Sequence, residues 1–207
     1  MDGGNRELKS TDTVKVAICY DQRMERHNSD KLHPERPDRV RSIWDRLNTS
    51  DLIRHCKLLR PKEAAREEIL ECHSEDMLKK LDEESQTCQE ENNSKNWDQE
   101  DVYINAHSAE CARISAGCCI AVATAVASGA ARAGVAVVRP PGHHAKRNQS
   151  MGFCLLNNAA IAARAAQKTV SCHSDTERGT ERILILDWDG ERAPSPGGRC
   201  DHGALAA

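Results

Sequence analysis

Large apolar side chains are scarce in this 207-residue chain. Phenylalanine occurs once, and Leu, Ile, Val and Phe together number 35 residues, or 17%, while alanine alone supplies 26 residues of the 39% hydrophobic fraction. Below about 20% of such residues, a chain of high net charge would be disordered. Here the net charge is only 29 − 32 = −3, so the composition implies a marginal or incomplete globular domain. The length leaves room for about one. A basic excess is also missing, which excludes bulk electrostatic attraction to nucleic acid or an anionic membrane. No run reaches the roughly 18 consecutive apolar residues of a membrane span, and the opening MDGGNRELKSTDT lacks the apolar stretch of a signal peptide. A secreted or membrane-embedded protein is therefore not expected.

Ten cysteines are present, but none forms a Cys-x-x-Cys pair, and Cys118 and Cys119 are adjacent inside an alanine-rich helical stretch. Neither a disulfide framework nor a zinc ribbon is indicated; reduced thiols of an intracellular protein fit better.

What is there is a series of alternating elements. Val14 to Cys19 (VKVAIC) is a short β-branched run that predicts a buried strand, and Lys57 to Arg60 a second short one. Pro37 precedes Val40, Ile43, Trp44 and Leu47 at helical spacing, which predicts a helix with proline in its first turn. Glu63 to Cys72 and Glu75 to Leu81 read as two amphipathic helices, and residues 82–101, rich in acids and amides, as a solvated loop. Ser108 to Ser128 and Asn157 to Gln167 are small-residue helices suited to close packing. Gly134 to Arg139 and Ile183 to Asp187 predict fully buried strands. Unalternated apolar strands separated by helices are the pattern of an α/β protein with a parallel sheet covered on both faces. In such sheets ligands sit beyond the carboxyl ends of the strands.

Two strand ends carry unusual residues. GVAVVR runs into Pro140, Pro141, Gly142, His143, His144, a turn that two prolines hold rigid. Paired imidazoles there suit a base and an electrostatic stabiliser, or else form a plain structural pair. ILILD continues as Trp188 and Asp189, so carboxylates at Asp187 and Asp189 end a strand predicted to be buried. Such groups are costly unless a metal, a histidine or backbone donors satisfy them. Between the strands lies Met151, Gly152, Phe153, Cys154, where the only phenylalanine serves either the core or a channel wall.

The run RPPGHHAKRNQSMGFCLLNNAAIAARAAQ followed by RILILDWD resembles the zinc-dependent histone deacetylases, class II in its PPGHHA and GFC wording. YDQRMERH, HPERPDRVRSIWDRL, LECHSEDML and VYINAHSAECARISAGCC fit the same branch in the same order, so the resemblance covers residues 14–189. It implies the arginase/deacetylase-like α/β fold. It also implies that His143 and His144 act on zinc-bound water and the acetyl carbonyl, and that Asp187 orients the first histidine and helps hold a monovalent cation such as K+. Asp189 is then a Zn2+ ligand, Gly152 and Phe153 wall the acetyl-lysine channel, and Arg39 lies near an internal product-release path. The implied partners are an acetylated histone or other acetyl-lysine protein, together with corepressor or deacetylase partners, in nucleus or cytoplasm.

The pattern breaks after Asp189. Gly190 and Glu191 stand where the family continues toward a second zinc ligand, a histidine, and 190–207 has no hydrophobic period. Residues 1–13 and 190–207 are accordingly expected to be disordered, with 14–189 a partial deacetylase domain truncated after the strand ending in Asp187. Glu191, Cys200, Asp201 and His202 are the remaining donor candidates in the tail. Edges left uncovered by such a truncation predict poor solubility.

Overall fold

A computed structural model describes residues 15–169 and 182–189 of the chain. The segments 1–13 and 190–207, with their expected disorder and the tail donor candidates, lie outside the described residues. Strand β1 (Val16–Cys19) sits between β2 (Lys57–Leu58) and β5 (Ala133–Ala136), and both pairings are parallel. Alternation along these strands divides the core. Cys19, Ala136 and Val138 pack on Ile114, Cys118 and Val122 of α4 (Ser108–Ala127). On the other face, Ile18 and Val137 meet Val40, Trp44 and Leu47 of α1 (Asp38–Thr49). This is the α/β architecture with helices on both faces of a parallel sheet. Helix α1 begins directly after Pro37, whose fixed φ of −54° is already helical.

Helix α4 is long and apolar enough in composition to cross a membrane, but it packs against β1, β5 and α5 (Asn158–Gln167) as the core helix of the domain. Its alanines, glycine and serines permit that close approach. Eight cysteines among the described residues are free.

Several elements differ from the sequence expectation. Residues 82–101 are not a solvated loop: α3 runs Glu75–Glu91, and β3 (Lys95–Trp97) and β4 (Gln99–Ile104) form an antiparallel hairpin. Large apolar residues are few there, but Met77, Leu78, Leu81, Ser85 and Cys88 recur on one buried helical stripe. Trp97, Val102 and Ile104 join the same core, and Asn92 stops α3 in the left-handed conformation that asparagine tolerates. The short helix α2 (Arg66–Leu70) precedes α3 and is shorter than the predicted Glu63 to Cys72.

Secondly, β5 is not fully buried. It pairs only with β1, and Val135 is 47% exposed, because no described strand covers its outer edge. Thirdly, Ile183 to Asp187 forms no strand among the described residues. Leu184 is 88% and Trp188 85% exposed, since a parallel strand is buried only when neighbours and covering helices flank it.

Candidate active site

After β5 the chain dives under the surface at Val137 and Arg139, then turns through the two prolines, with a cis Arg139–Pro140 peptide, to present His143 and His144. Arg139 is 1% exposed and its guanidinium forks onto Glu35, with Nε 2.7 Å from Oε1 and Nη2 2.8 Å from Oε2. Nη1 donates to the Met24 carbonyl, and Nη2 also donates to the Tyr103 hydroxyl. The Tyr103 ring stacks on buried His27 and meets the edge of His33, whose own ring meets Phe153 edge-on at 5.2 Å. A satisfied buried charge pair thus anchors the start of the turn.

The far side of the turn is held by Asn157, the N-cap of α5. Its amide donates to the His143 and Ala145 carbonyls at 3.1 and 2.9 Å, while its side-chain oxygen accepts from Ala160. Beneath it, buried His73 accepts the Asn157 backbone N–H on Nε2 at 2.9 Å. Gly142 lies so tightly on the Asn158 side chain that a Cβ there would collide with it.

Met151 and Cys154 exchange backbone hydrogen bonds around Gly152 and Phe153, both at positive φ (58° and 65°), the geometry of a type I′ turn. A Cβ on Gly152 would stand 2.5 Å from His144 Cδ2, so the absent side chain is what admits the imidazole.

Four of the residues singled out in the sequence converge. His143 Nδ1 lies 2.8 Å from Asp187 Oδ2, and because a carboxylate only accepts, the Nδ1–H is the donor. This bond, with the Asp189 backbone N–H on Oδ1, holds the Asp187 carboxyl below its usual pKa. Asp189 Oδ2 lies 3.0 Å from His144 Nε2 and 3.4 Å from His143 Nε2, and the two rings are 3.9 Å apart. The imidazoles are 28% and 21% exposed and the carboxylates 48% and 55%, so the group opens to solvent. Gly152 and Phe153 flank it. Arg39 does not join: it is exposed on the first turn of α1, because neighbouring Val40 claims the buried face, and it enters no hydrogen bond or ion pair of the site.

The sequence reading passed over Glu35, His33, His73 and Asn157. Their only local signal was a charge inside HPERPDR and polar residues flanking otherwise apolar runs.

Residues 33–190 match the histone deacetylase domain. The chain belongs to the histone deacetylase family. It is 37% identical over 185 residues to histone deacetylase 15 of Arabidopsis thaliana, covering 87% of this chain and 31% of that protein. It is 36% identical over 155 residues to the polyamine deacetylase HDAC10 of Homo sapiens, covering 75% of this chain and 22% of that one. The crystal structure of the HDA15 HD domain aligns with a TM-score of 0.70 and 38% identity, over 75% of this chain and 44% of that chain. This histone deacetylase chain therefore spans less than a third of those two curated relatives.

The family depends on zinc in general, and His143, His144 and Asp189 place their ligand atoms within 4.8 Å of one another. Tetrahedral zinc with bonds of about 2.0–2.1 Å sets its donors about 3.3–3.4 Å apart. The Asp189 carboxylate, 55% exposed and 3.4 and 3.0 Å from the two Nε2 atoms, fits as one such donor beside the paired imidazoles.

Proposed function

We propose that this chain carries the histidine–carboxylate part of a zinc-dependent, class II-like lysine deacetylase centre, the family reaction being hydrolysis of the N-acetyl-lysine amide to lysine and acetate. The 207-residue chain by itself is hydrolytically silent and acts by binding partners or acetylated protein. The observation that supports the first half is the convergence of His143 and His144, from the turn after β5, with Asp187 and Asp189, 44 and 45 residues further along the chain.

Zinc, when bound, polarises the amide carbonyl and acidifies water, with Asp189 as the donor that this chain retains. Asp187 fixes the His143 tautomer, leaving Nε2 as the atom that takes a proton from the attacking water. His144, stacked beside it and confined by Gly152, steadies charge on the carbonyl side and returns a proton to the departing amine. Phe153, fixed by its turn and by His33, lines the approach of the acetyl-lysine chain.

Silence follows from the donor count. Catalytic zinc takes three protein ligands, and Glu191 stands where the family resemblance puts a histidine. An acetylated histone or other acetyl-lysine protein is the substrate class, with corepressor or deacetylase partners, a monovalent cation such as K+ beside Asp187, and a nuclear or cytoplasmic location as parts of the same proposal.

The test is hydrolysis of an acetyl-lysine peptide by the purified chain, with zinc added and then chelated. No turnover from soluble, folded protein that still binds the peptide is expected. Chelator-sensitive turnover, lost in His144→Ala, would end the silent reading; turnover of an acetylated polyamine alone would redirect the substrate class.

A further inference from the structure

We infer that Cys19, the last residue of β1, and Cys118, in the middle of α4, form a redox-sensitive pair, whose oxidation to a disulfide by a peroxide shifts the seat of the tandem-histidine turn. The inference stands apart from turnover.

Packing carries it. Both thiols lie in one core cluster with Met24, Ile114 and Val122, Cys19 being 1% and Cys118 0% exposed. The Cys19 thiol donates to the Leu59 carbonyl at 3.7 Å, and the Cys118 thiol donates in turn to the Cys19 sulfur. Two sulfurs in contact between a strand and the helix packed on it are placed for a disulfide. Cys119 is turned about 100° further round α4 and is not a member of that cluster. The same contact makes Cys19 the readier nucleophile: the hydrogen bond from Cys118 lowers its pKa, whereas burial raises those of Cys111, Cys119 and Cys154. The cover over Cys19 is thin, because Leu59 follows β2, a two-residue edge strand paired with β1 alone, in which Leu58 is 60% exposed. Release of so short an edge admits a molecule as small as hydrogen peroxide.

The reaction balances with one peroxide. Cys19, as the thiolate, attacks a peroxide oxygen; the O–O bond breaks, hydroxide leaves, and Cys19 becomes a sulfenic acid. The Cys118 sulfur then attacks the Cys19 sulfur, and its proton departs with the sulfenic oxygen as water. Hydroxide takes up the proton that Cys19 released, so two thiols are oxidised to one disulfide while the peroxide is reduced to two waters.

The consequence reaches the histidines through α4. One turn before Cys118, the Ser115 hydroxyl donates to the Pro140 carbonyl at 2.8 Å and accepts from the Asn158 amide at 2.7 Å. Asn158 in turn lies tightly against Gly142. A covalent S–S bond is shorter than any thiol–thiol hydrogen bond, so it draws this part of α4 toward β1 and moves the support under Pro140 to Gly142.

The experiment treats the folded full chain with hydrogen peroxide and maps disulfides by mass spectrometry of a tryptic digest, before and after reduction. The peptide of Cys19 is expected joined to the one that carries Cys118 and Cys119, and freed by reductant. Cys118→Ala is expected to abolish the bridge and Cys119→Ala to leave it; if Cys118→Ala does not fold, Cys118→Ser replaces it. Imidazole 1H–15N correlation is the second readout. The His143 and His144 resonances are expected to move on oxidation, return on reduction, and stay fixed in the peroxide-treated Cys118 variant. No bridge in the folded chain, a bridge formed only in denaturant, or a bridge that needs Cys119 overturns the pair. A Cys19–Cys118 bridge with unmoved imidazoles overturns its effect on the turn.

Discussion

Buried His73 accepts the Asn157 backbone N–H on Nε2 at 2.9 Å and faces the Arg147 carbonyl with Nδ1 at 3.3 Å, so the turn bearing the tandem histidines rests on an imidazole that must be neutral. A proton on Nε2 would set two N–H groups against each other. Buried His27 is likewise held neutral, chiefly by burial and then by the charge of Arg139, and its 3.8 Å approach to Glu35 is no ion pair in that state.

Both rings consequently have pKa values below the ordinary 6.5. The unfolded chain binds protons on them that the folded chain refuses. Their contribution is complete above pH 6.5 and is lost as the pH falls from there toward the depressed folded values. Urea midpoints measured between about pH 7.5 and pH 5 should fall with acidity. His73→Gln, whose amide can still accept from Asn157, should flatten part of that fall. A flat wild-type profile would contradict the neutral assignment.

The Arg139–Glu35 pair is 2% exposed on each side and bonded through both nitrogen–oxygen contacts. Removing one partner strands a buried charge. Glu35→Ala is expected to cost about 3–5 kcal/mol. The double variant Glu35→Leu/Arg139→Met should recover most of that loss, because two apolar side chains leave no charge unpaired. Denaturant unfolding of the single and double variants measures the coupling. Near-additive losses would mean that the pair does not anchor the turn.

Gly152 admits the His144 ring at a positive φ of 58°. Gly152→Ala should destabilise by about 1–2 kcal/mol from the left-handed backbone alone. Its Cβ should also push His144 away from Asp189, seen as a changed imidazole resonance of His144 with that of His27 unmoved. An unaltered His144 signal would show that the turn yields instead.

The sequence determined much of this. β1, α1, α4 and α5 follow from β-branched runs, a leading proline and small-residue periodicity, signals that lie within a few consecutive residues. The PPGHH and DWD segments named their side chains for the same reason: a rigid turn and a pair of alternate carboxylates are local signals. Residues 82–101 were illegible because the helix stripe there is built from Ser85 and Cys88 rather than large hydrophobes, and only the surrounding core makes it a stripe.

Tertiary structure alone decided the rest. That Arg139 and not Arg39 is the buried arginine depends on Glu35, 104 residues away in sequence. That Leu184, Ile185 and Leu186 lie exposed and in no strand among the described residues, while Asp187 still reaches His143 across 44 residues, depends on neighbours distant in the chain. Local sequence sets backbone preference and side-chain chemistry. Burial, pairing and the sharing of one carboxylate oxygen by two imidazoles are set by neighbours distant in the chain.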